Sequence, residues 1–393
     1  MITARLLLVA ALVVVLSSAM MIRLWYLQVF DKDFLQDQGD ARTIRMERIN
    51  AHRGIIQDRY GKPLAVSTPA LSLWANPGEV LNTKDPLGPL IDYLGVSEKS
   101  FIDRLSKAQK KNFVYLRRHL PPAEARNIMK LGIAGVYAER EYNRFYPAGE
   151  VTSHLVGFTN IDDKGQEGLE LSYDHWLAGS PGKKKVLKNL HGEIVRDIAP
   201  IAEARSGRDL TLGVDLRLQY LAYRELKSAV IHYEAESGSA VILDVETGRV
   251  LALVNQPSFN PNNRKGLDMN AVRNRAVTDV FEPGSTVKPF TVGVALQTDR
   301  YEPGTVIDTS PGFYRVGGFT IRDPHDRGVI NLSEVIAQSS QVGIAKLALD
   351  LNEYDVRSMF ESLRFGQELG SGFPGERAGF LPYYRRWKDI DRA

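Results

Sequence analysis

An uncharged and almost wholly apolar run extends from Leu6 to Ile22, between Arg5 and Arg23. The only polar residues in it are two adjacent serines, Ser17 and Ser18. A helix over this run is about 25 Å long, because an α-helix rises about 1.5 Å per residue. That length is enough to cross the hydrocarbon core of a bilayer. The pattern therefore predicts either a membrane-spanning helix or the apolar part of a signal peptide.

Apolar and aromatic residues continue beyond this run, through Leu24-Trp-Tyr-Leu27. The continuation favours an uncleaved anchor over a signal peptide, for which Ser17-Ser-Ala19 would be an acceptable cleavage site. Trp25 and Tyr26 then lie at the outer interface, where amphipathic rings are favoured. We predict a cytoplasmic stub over residues 1–5, a transmembrane anchor over 6–26, and the rest of the chain outside the cytoplasm.

Hydrophobic periodicity is lost over residues 199–208, where small and charged residues gather, so we place a domain boundary there. The preceding half, 27–200, mixes short strand patterns such as 71–75 with short polar helix patterns such as 122–130. This mixture predicts an irregular α+β module.

The half that follows, 209–393, begins with a helix pattern at Leu216 that is preceded by an acidic cap, Asp215. Two apolar runs, 239–244 and 249–254, come next and are joined by a short turn, which predicts a β-hairpin. Because both runs are apolar on both faces, we expect an antiparallel sheet with helices covering each side.

Composition narrows the possible classes of protein. The chain has 393 residues, of which 44% are hydrophobic and 25% charged, so we expect a folded protein with two domains rather than one. The net charge is only +3, and we interpret the densest basic run, 183–185, as a solvated loop, so no nucleic-acid partner is expected.

Cysteine is absent, which excludes disulfides, thiolate zinc sites and a cysteine nucleophile. The seven histidines show no metal-site spacing, and no metal or other cofactor is predicted.

The strongest chemical signal is Ser285-Thr-Val-Lys288, which follows Phe281-Glu-Pro-Gly284. Glycine before serine is typical of a helix entry, and a lysine three residues later lies on the same helix face as the serine. The positive end of the helix dipole and burial both disfavour an ammonium group there. Lys288 is therefore predicted to accept the proton of a nucleophilic Ser285, and the helix entry to hold an oxyanion.

Spacing alone is weak evidence, since Ser180-Pro-Gly-Lys183 has the same spacing. Proline and glycine directly after the serine predict a turn, which cannot place Ser180 and Lys183 on one helix face. We assign no function to this second copy.

Several motifs along the chain together resemble the class B penicillin-binding proteins, in particular the cell-division (FtsI-type) peptidoglycan transpeptidases. In the first half the motifs begin at Arg53-Gly-Ile-Ile-Gln-Asp58, Arg144-Phe-Tyr-Pro147 and Gly165-Gln-Glu-Gly168-Leu-Glu170. In this family such residues form a scaffold that positions the catalytic domain and meets partners. We therefore assign them no catalytic role.

The resemblance implies a D,D-transpeptidase that attacks the D-Ala-D-Ala end of a peptidoglycan stem peptide and is acylated by β-lactams. Ser285 matches the family's nucleophile and Lys288 its base. The second motif, Ser-x-Asn, aligns with Ser339-Ser340-Gln341, in which Ser339 would relay a proton to the leaving amine. Gln341 departs from the asparagine of the family, and its extra methylene displaces the carboxamide by roughly one bond length.

The third family motif, Lys-[Ser/Thr]-Gly, does not occur after Gln341, and Arg205-Ser-Gly207 precedes Ser285. We therefore expect the transpeptidase domain to be incomplete in this chain and its turnover to be impaired. The implied fold is a multidomain α+β one: a transmembrane helix, a pedestal (dimerisation-type) domain over 27–200, and a partial penicillin-binding, β-lactamase-like domain over 209–393 with a helix-covered sheet.

The resemblance also implies a location and partners. We expect a single-pass protein of the inner membrane with its bulk in the periplasm, bound to division-machinery membrane proteins that include a glycosyltransferase. Two alternatives stay open: a non-catalytic division scaffold, and a β-lactamase-like hydrolase or penicillin sensor.

Overall fold

The computed structural model describes residues 2–33, 44–188, 194–382 and 388–392. Its first helix, α1, covers Ile2–Val29 and includes the apolar run. Within it, the 20 residues Ala10–Val29 are long and apolar enough to cross a membrane, and none of them is buried by the rest of the chain. The helix therefore fits the predicted anchor by length and composition.

The first half of the chain folds as short helices around twisted sheets. Its strands are β1 Ile44–Ile49, β2 Ile56–Gln57, β3 Pro63–Ala75, β4 Val114–Leu120, β5 Val136–Phe145, β6 Phe158–Thr159, β7 Gly165–Glu167, β8 Gly182–Lys188, β9 Ile194–Ala202 and β10 Leu210–Thr211. Its helices are α2 Pro77–Asn82, α3 Gly88–Leu94, α4 Glu98–Lys107, α5 Pro122–Met129, α6 Ser153–Val156, α7 Gly168–Ser172 and α8 Asp174–Leu177. The strand and helix predicted at 71–75 and 122–130 are confirmed.

The larger sheet of this half has the strand order β10-β2-β3-β4, and β5 also pairs with β3. Strand β10 is parallel to β2, with Leu210 opposite Ile56. The chain therefore returns to this sheet after the loss of periodicity at 199–208. The domain limits drawn from the sequence remain a prediction.

A buried ion network joins the three motifs of the first half. Arg53 Nε lies 2.7 Å from Glu170 Oε2, and Arg144 Nε lies 2.6 Å from Glu170 Oε1, with all three side chains at most 2% exposed. Arg53 also contacts Asp174 at 2.7 Å. Because each carboxylate oxygen of Glu170 meets a different guanidinium, the network holds three distant segments together.

The glycine after Arg53 is required by a close backbone approach. A Cβ added to Gly54 would lie 2.0 Å from the backbone oxygen of Arg208, closer than any side chain could come. The Arg-Gly pair therefore packs the network against the chain that leads into the second half.

A separate three-stranded antiparallel sheet has the order β1-β8-β9. The basic run 183–185 lies within strand β8, so its interpretation as a loop was wrong. The sequence did not show this because three consecutive lysines give no alternation of apolar and polar residues, and their strand forms only by pairing with β1 and β9.

The second half contains the remaining elements among the described residues. Its helices are α9 Leu216–His232, α10 Met269–Val272, α11 Arg275–Thr278, α12 Lys288–Gln297, α13 Leu332–Ala337, α14 Gln341–Asp350, α15 Glu353–Ser362 and α16 Asp389–Arg392. Its strands are β11 Gly238–Leu243, β12 Val250–Gln256, β13 Val306–Asp308, β14 Phe313–Val316, β15 Phe319–Arg322 and β16 Val329–Asn331. Asp215 caps α9 as predicted, because its side chain accepts a hydrogen bond from the Arg217 N–H.

The predicted hairpin is confirmed, with β11 and β12 pairing antiparallel. Helix α9 packs against it, and Ala252, Leu253 and Val254 of β12 are buried. On β11, by contrast, Val241 is 46% exposed and Leu243 is 54% exposed. In the part of the chain that the structure describes, β12 is therefore buried from Ala252 onward, whereas β11 is largely exposed.

Helices α12, α13, α14 and α15 share one apolar core, to which α12 contributes Val292 and Ala295, α13 contributes Val335 and α14 contributes Leu347. Burial of these side chains fixes the positions of the helix starts. The candidate site residues lie at two of these helix starts, those of α12 and α14.

Candidate active site

Ser285 and Lys288 lie at the entrance of α12. Residues Gly284–Val287 form one turn of 3₁₀ helix, and the α-helix itself begins at Lys288. Gly284 has a φ of 60°, a left-handed conformation that glycine adopts without steric cost. Ser285 is exposed, whereas Lys288 is 8% exposed. The hydroxyl is thus accessible to a substrate, and the amine is shielded.

Ser339 lies between these two side chains. Its Oγ is 2.9 Å from Ser285 Oγ and 3.1 Å from Lys288 Nζ, and Lys288 Nζ also donates to the Ser339 carbonyl at 2.7 Å. The sequence predicted that the serine and the lysine would meet directly. In the structure, the hydrogen bonds between them pass through the Ser339 hydroxyl instead.

The loop between α13 and α14 presents Ser339 in an unusual conformation. Ser339 has a φ of 54°, which costs energy for a residue other than glycine and is held only when the surroundings require it. The next residue, Ser340, is buried and caps α14 by accepting a hydrogen bond from the Gly343 N–H. The helix cap therefore fixes the loop just after the exposed hydroxyl.

Asp323, directly after β15, holds this cap in place. The Ser340 hydroxyl donates to Asp323 Oδ2 at 2.6 Å, and the Gln341 N–H donates to Asp323 Oδ1 at 2.5 Å. The Asp323 side chain is fully buried, and Arg327 Nε lies 4.0 Å away. Sequence reasoning missed Asp323, because Arg322-Asp-Pro324 gives only a turn signal and the contact to α14 is made by the fold.

Burial of Lys288 lowers the pKa of its amine below the ordinary 10.5. The positive charge of Arg327 lowers this pKa further, while the negative charge of Asp323 raises it. Desolvation is the largest of these effects, so the neutral amine is favoured relative to a solvated lysine. A neutral amine can accept a proton, which an ammonium cannot do.

Gln341 occupies the first turn of α14, and its side chain is exposed. Its carboxamide makes no hydrogen bond to any residue in the described ranges, although its N–H is held by Asp323. The structure thus brings Ser285, Lys288 and Ser339 into one hydrogen-bonded group. Gln341 lies next to this group along the chain, and the contact that holds it is the bond from its backbone N–H to Asp323.

Two family models match this chain. Residues 48–212 match the dimerisation domain of the penicillin-binding proteins, and residues 238–393 match the penicillin-binding protein transpeptidase domain.

Two curated relatives of this chain are named as peptidoglycan D,D-transpeptidases, one of them as a probable one. A probable peptidoglycan D,D-transpeptidase, PbpC, of Pseudomonas aeruginosa is 41% identical over 99% of this chain and 69% of its own length. The peptidoglycan D,D-transpeptidase FtsI of Escherichia coli K12 is 42% identical over 94% of this chain and 63% of its own length. The chain therefore spans about two thirds of the length of these relatives.

Solved structures show the same fold. A complex between penicillin-binding protein PBP2 and MreC from Helicobacter pylori aligns with a TM-score of 0.71 at 22% identity, covering 89% of this chain and 72% of the other. A peptidoglycan synthetase from Bifidobacterium adolescentis aligns with a TM-score of 0.64 at 25% identity, covering 88% of this chain and 69% of the other.

Proposed function

This chain belongs to the family of penicillin-binding protein transpeptidases, and from that membership we propose that it cross-links peptidoglycan as a D,D-transpeptidase through an acyl-enzyme on Ser285. The observation that carries the proposal is the continuous series of hydrogen bonds from Ser285 through Ser339 to Lys288. The comparisons favour this activity over the scaffold and β-lactamase alternatives.

The reaction begins with attack of Ser285 Oγ on the carbonyl carbon of the penultimate D-Ala of a stem peptide. The Ser285 proton passes to Ser339 Oγ, which releases its own proton to Lys288 Nζ. Serine hydroxyls can donate and accept at once, so the same oxygen positions serve both directions of transfer. The shielded amine with its lowered pKa is the proton acceptor at the end of this relay.

The tetrahedral adduct collapses to an ester on Ser285 and releases the terminal D-Ala, whose nitrogen receives a proton from Lys288 through Ser339. The amine of a neighbouring stem then attacks the ester. Its proton leaves by the same relay, and Ser285 recovers its hydroxyl as the peptide cross-link forms. A β-lactam enters the same first step, since its ring amide takes the place of the D-Ala-D-Ala bond.

The proposal includes a location. We place α1 in the inner membrane as a single span, with the pedestal and transpeptidase domains in the periplasm. The helix Ala10–Val29 and the aromatic residues Trp25 and Tyr26 near its end support this placement. As partners we propose division-machinery membrane proteins, including a glycosyltransferase, because the E. coli relative is named FtsI.

Acylation by a fluorescent penicillin tests the proposal on the full chain. We expect a label that is released slowly and that peptide mapping places on Ser285. Ser285→Ala is expected to abolish labelling, whereas Ser333→Ala, an exposed serine on α13, is expected to leave it unchanged. Release of D-Ala from a D-Ala-D-Ala peptide is the corresponding assay with substrate.

Other outcomes separate the alternatives. Rapid hydrolysis of the penicillin would indicate a β-lactamase-like hydrolase. Absence of labelling in a chain that melts cooperatively would contradict the acyl-enzyme and support a non-catalytic scaffold.

A further inference from the structure

One face of the sheet β1-β8-β9 carries basic residues and none of the acidic residues of its strands. In this register Arg48 lies opposite Lys183, and Leu187 lies opposite Arg196, so these side chains project from the same side of the sheet. That side, here named the basic face, carries four exposed cationic residues: Arg48, Lys183, Lys185 and Arg196. None of them forms an ion pair with an acidic side chain in the described ranges.

The acidic residues of the same strands lie on the opposite face. There, Lys184 Nζ lies 3.6 Å from Glu47 Oε2 and 3.1 Å from Asp197 Oδ1. Lys184 is thus paired with both carboxylates. The charges of the basic face are not neutralised within the sheet, and their combined field extends into solvent.

The chain limits the distance between this sheet and the membrane in which α1 is proposed to lie. Helix α1 ends at Val29 and β1 begins at Ile44. Fully extended, the connecting residues 30–43 reach no farther than about 50 Å. The first strand of the sheet is therefore tethered to the bilayer surface.

We propose that the basic face binds the anionic phospholipid headgroups of the membrane that anchors the chain. Charge complementarity and the short tether carry this inference, which rests on the proposed anchoring by α1. Met46 lies opposite Lys185 and is 56% exposed, so the face also offers an apolar side chain to the interfacial region. Binding there would fix the distance of the pedestal, and hence of Ser285, from the membrane.

The rate at which Lys183 and Lys185 are acetylated shows whether the basic face contacts lipid. The full chain is inserted into nanodiscs of phosphatidylcholine alone, or with phosphatidylglycerol as a third of the lipid, and treated with an amine-acetylating reagent. Peptide mass spectrometry follows Lys183 and Lys185. Lys99 and Lys107 are exposed on α4 and serve as internal references, while the exposed Lys110 and Lys111 that follow α4 are reserved for a control variant.

At about 0.1 M salt we expect Lys183 and Lys185 to react about fivefold more slowly in the anionic discs, with the two reference lysines unchanged. The difference is expected to vanish near 1 M salt, where screening shortens the range of the field to about 3 Å. Arg48→Glu combined with Arg196→Glu retains both reporter lysines and is expected to remove their protection.

The matched control is Lys110→Glu with Lys111→Glu, which changes the net charge by the same amount, and we expect it to retain protection at Lys183 and Lys185. Cooperative melting of each variant shows that its fold is retained. If the chain is held in both kinds of disc and the reporters react equally, lipid binding by the basic face is overturned and anchoring stands. If the chain is not retained in neutral discs, anchoring is overturned, and this inference with it.

Discussion

The Ser339 hydroxyl lies 2.9 Å from the Ser285 hydroxyl, although 54 positions separate the two residues along the chain. Ser339 is also the residue that Lys288 contacts. The nucleophile and its proposed base are therefore connected through a third residue, on a different helix entry. This arrangement assigns separate, testable tasks to the three side chains.

Replacement of Ser339 by glycine is expected to slow acylation by about 10²–10⁴-fold, the usual contribution of a positioned proton-transfer group. Glycine removes the hydroxyl and adopts the left-handed φ of 54° without strain. Ser339→Ala removes the same hydroxyl but keeps the strain. Stopped-flow acylation should show equal losses in the two variants, and the glycine variant should melt at the higher temperature.

An acylation rate in Ser339→Gly close to that of the unchanged chain would contradict the relay. It would imply that Ser285 transfers its proton to Lys288 without the intervening hydroxyl.

Acylation is expected to accelerate as the pH rises through the pKa of Lys288, because only the neutral amine accepts a proton. Burial places this pKa below 10.5, so the rise should begin below the range of a solvated lysine. Lys288→Arg is expected to abolish the pH-dependent rise, since a guanidinium is not deprotonated in proteins. Initial acylation rates measured across pH check both statements.

The lowered pKa of Lys288 also affects stability. Between the folded-state pKa and 10.5, the unfolded chain binds the proton that the folded chain lacks, so the free energy of unfolding rises with pH across this window. Below the window the cost of burying the charged amine is fully present. Lys288→Met should remove this slope, and denaturant titrations at several pH values would contradict the assignment if the slope persisted.

Asp323→Ala is expected to lower the free energy of unfolding by about 1–3 kcal/mol, because it leaves the Ser340 hydroxyl and two N–H groups of α14 without their acceptor. Asp323→Asn keeps an acceptor for the Gln341 N–H and removes the charge that raises the pKa of Lys288. We therefore expect the asparagine variant to be the more stable of the two, and its acylation to rise at lower pH than in the unchanged chain.

Urea unfolding and pH-dependent acylation distinguish these effects. Identical pH profiles for Asp323→Asn and the unchanged chain would show that Asp323 acts on the helix cap alone.

Glu170→Gln is expected to destabilise the fold by on the order of 3–5 kcal/mol, because it leaves Arg53 and Arg144 buried without their shared carboxylate. Glu124→Gln makes the same chemical change in the exposed pair with Arg117 and is expected to cost at most about 1 kcal/mol. Equal losses in urea unfolding would contradict a structural role for the buried network.

Gln341→Asn is expected to increase the acylation rate severalfold without changing stability. The shorter side chain brings the carboxamide to the position that the family's Ser-x-Asn motif provides, while the backbone N–H bond to Asp323 is unaffected. Acylation kinetics and melting of this variant test both parts. A slower rate would show that the glutamine already has the better geometry.

Local patterns along the chain were sufficient for much of the architecture. The apolar run of α1, the Asp215 cap of α9 and the hairpin β11–β12 depend on neighbouring residues, whose spacing and turn chemistry are visible in the sequence. The candidate pair Ser285 and Lys288 was also proposed from local spacing, whereas Ser339 was proposed only from the resemblance to the family's second motif. Charge-rich segments were harder, as the strand at 183–185 shows, because their conformation is imposed by partner strands.

Contacts between residues that are far apart in the sequence are visible only in the tertiary structure. The bridging position of Ser339, the support of its loop by Asp323, and the meeting of Arg53 and Arg144 at Glu170 all join residues from separate elements. Their geometry follows from which apolar faces are buried together, as Val292, Val335 and Leu347 are beneath the site. A spacing rule describes one helix face or one strand, whereas the distance between two helix entries depends on the packing of the whole core.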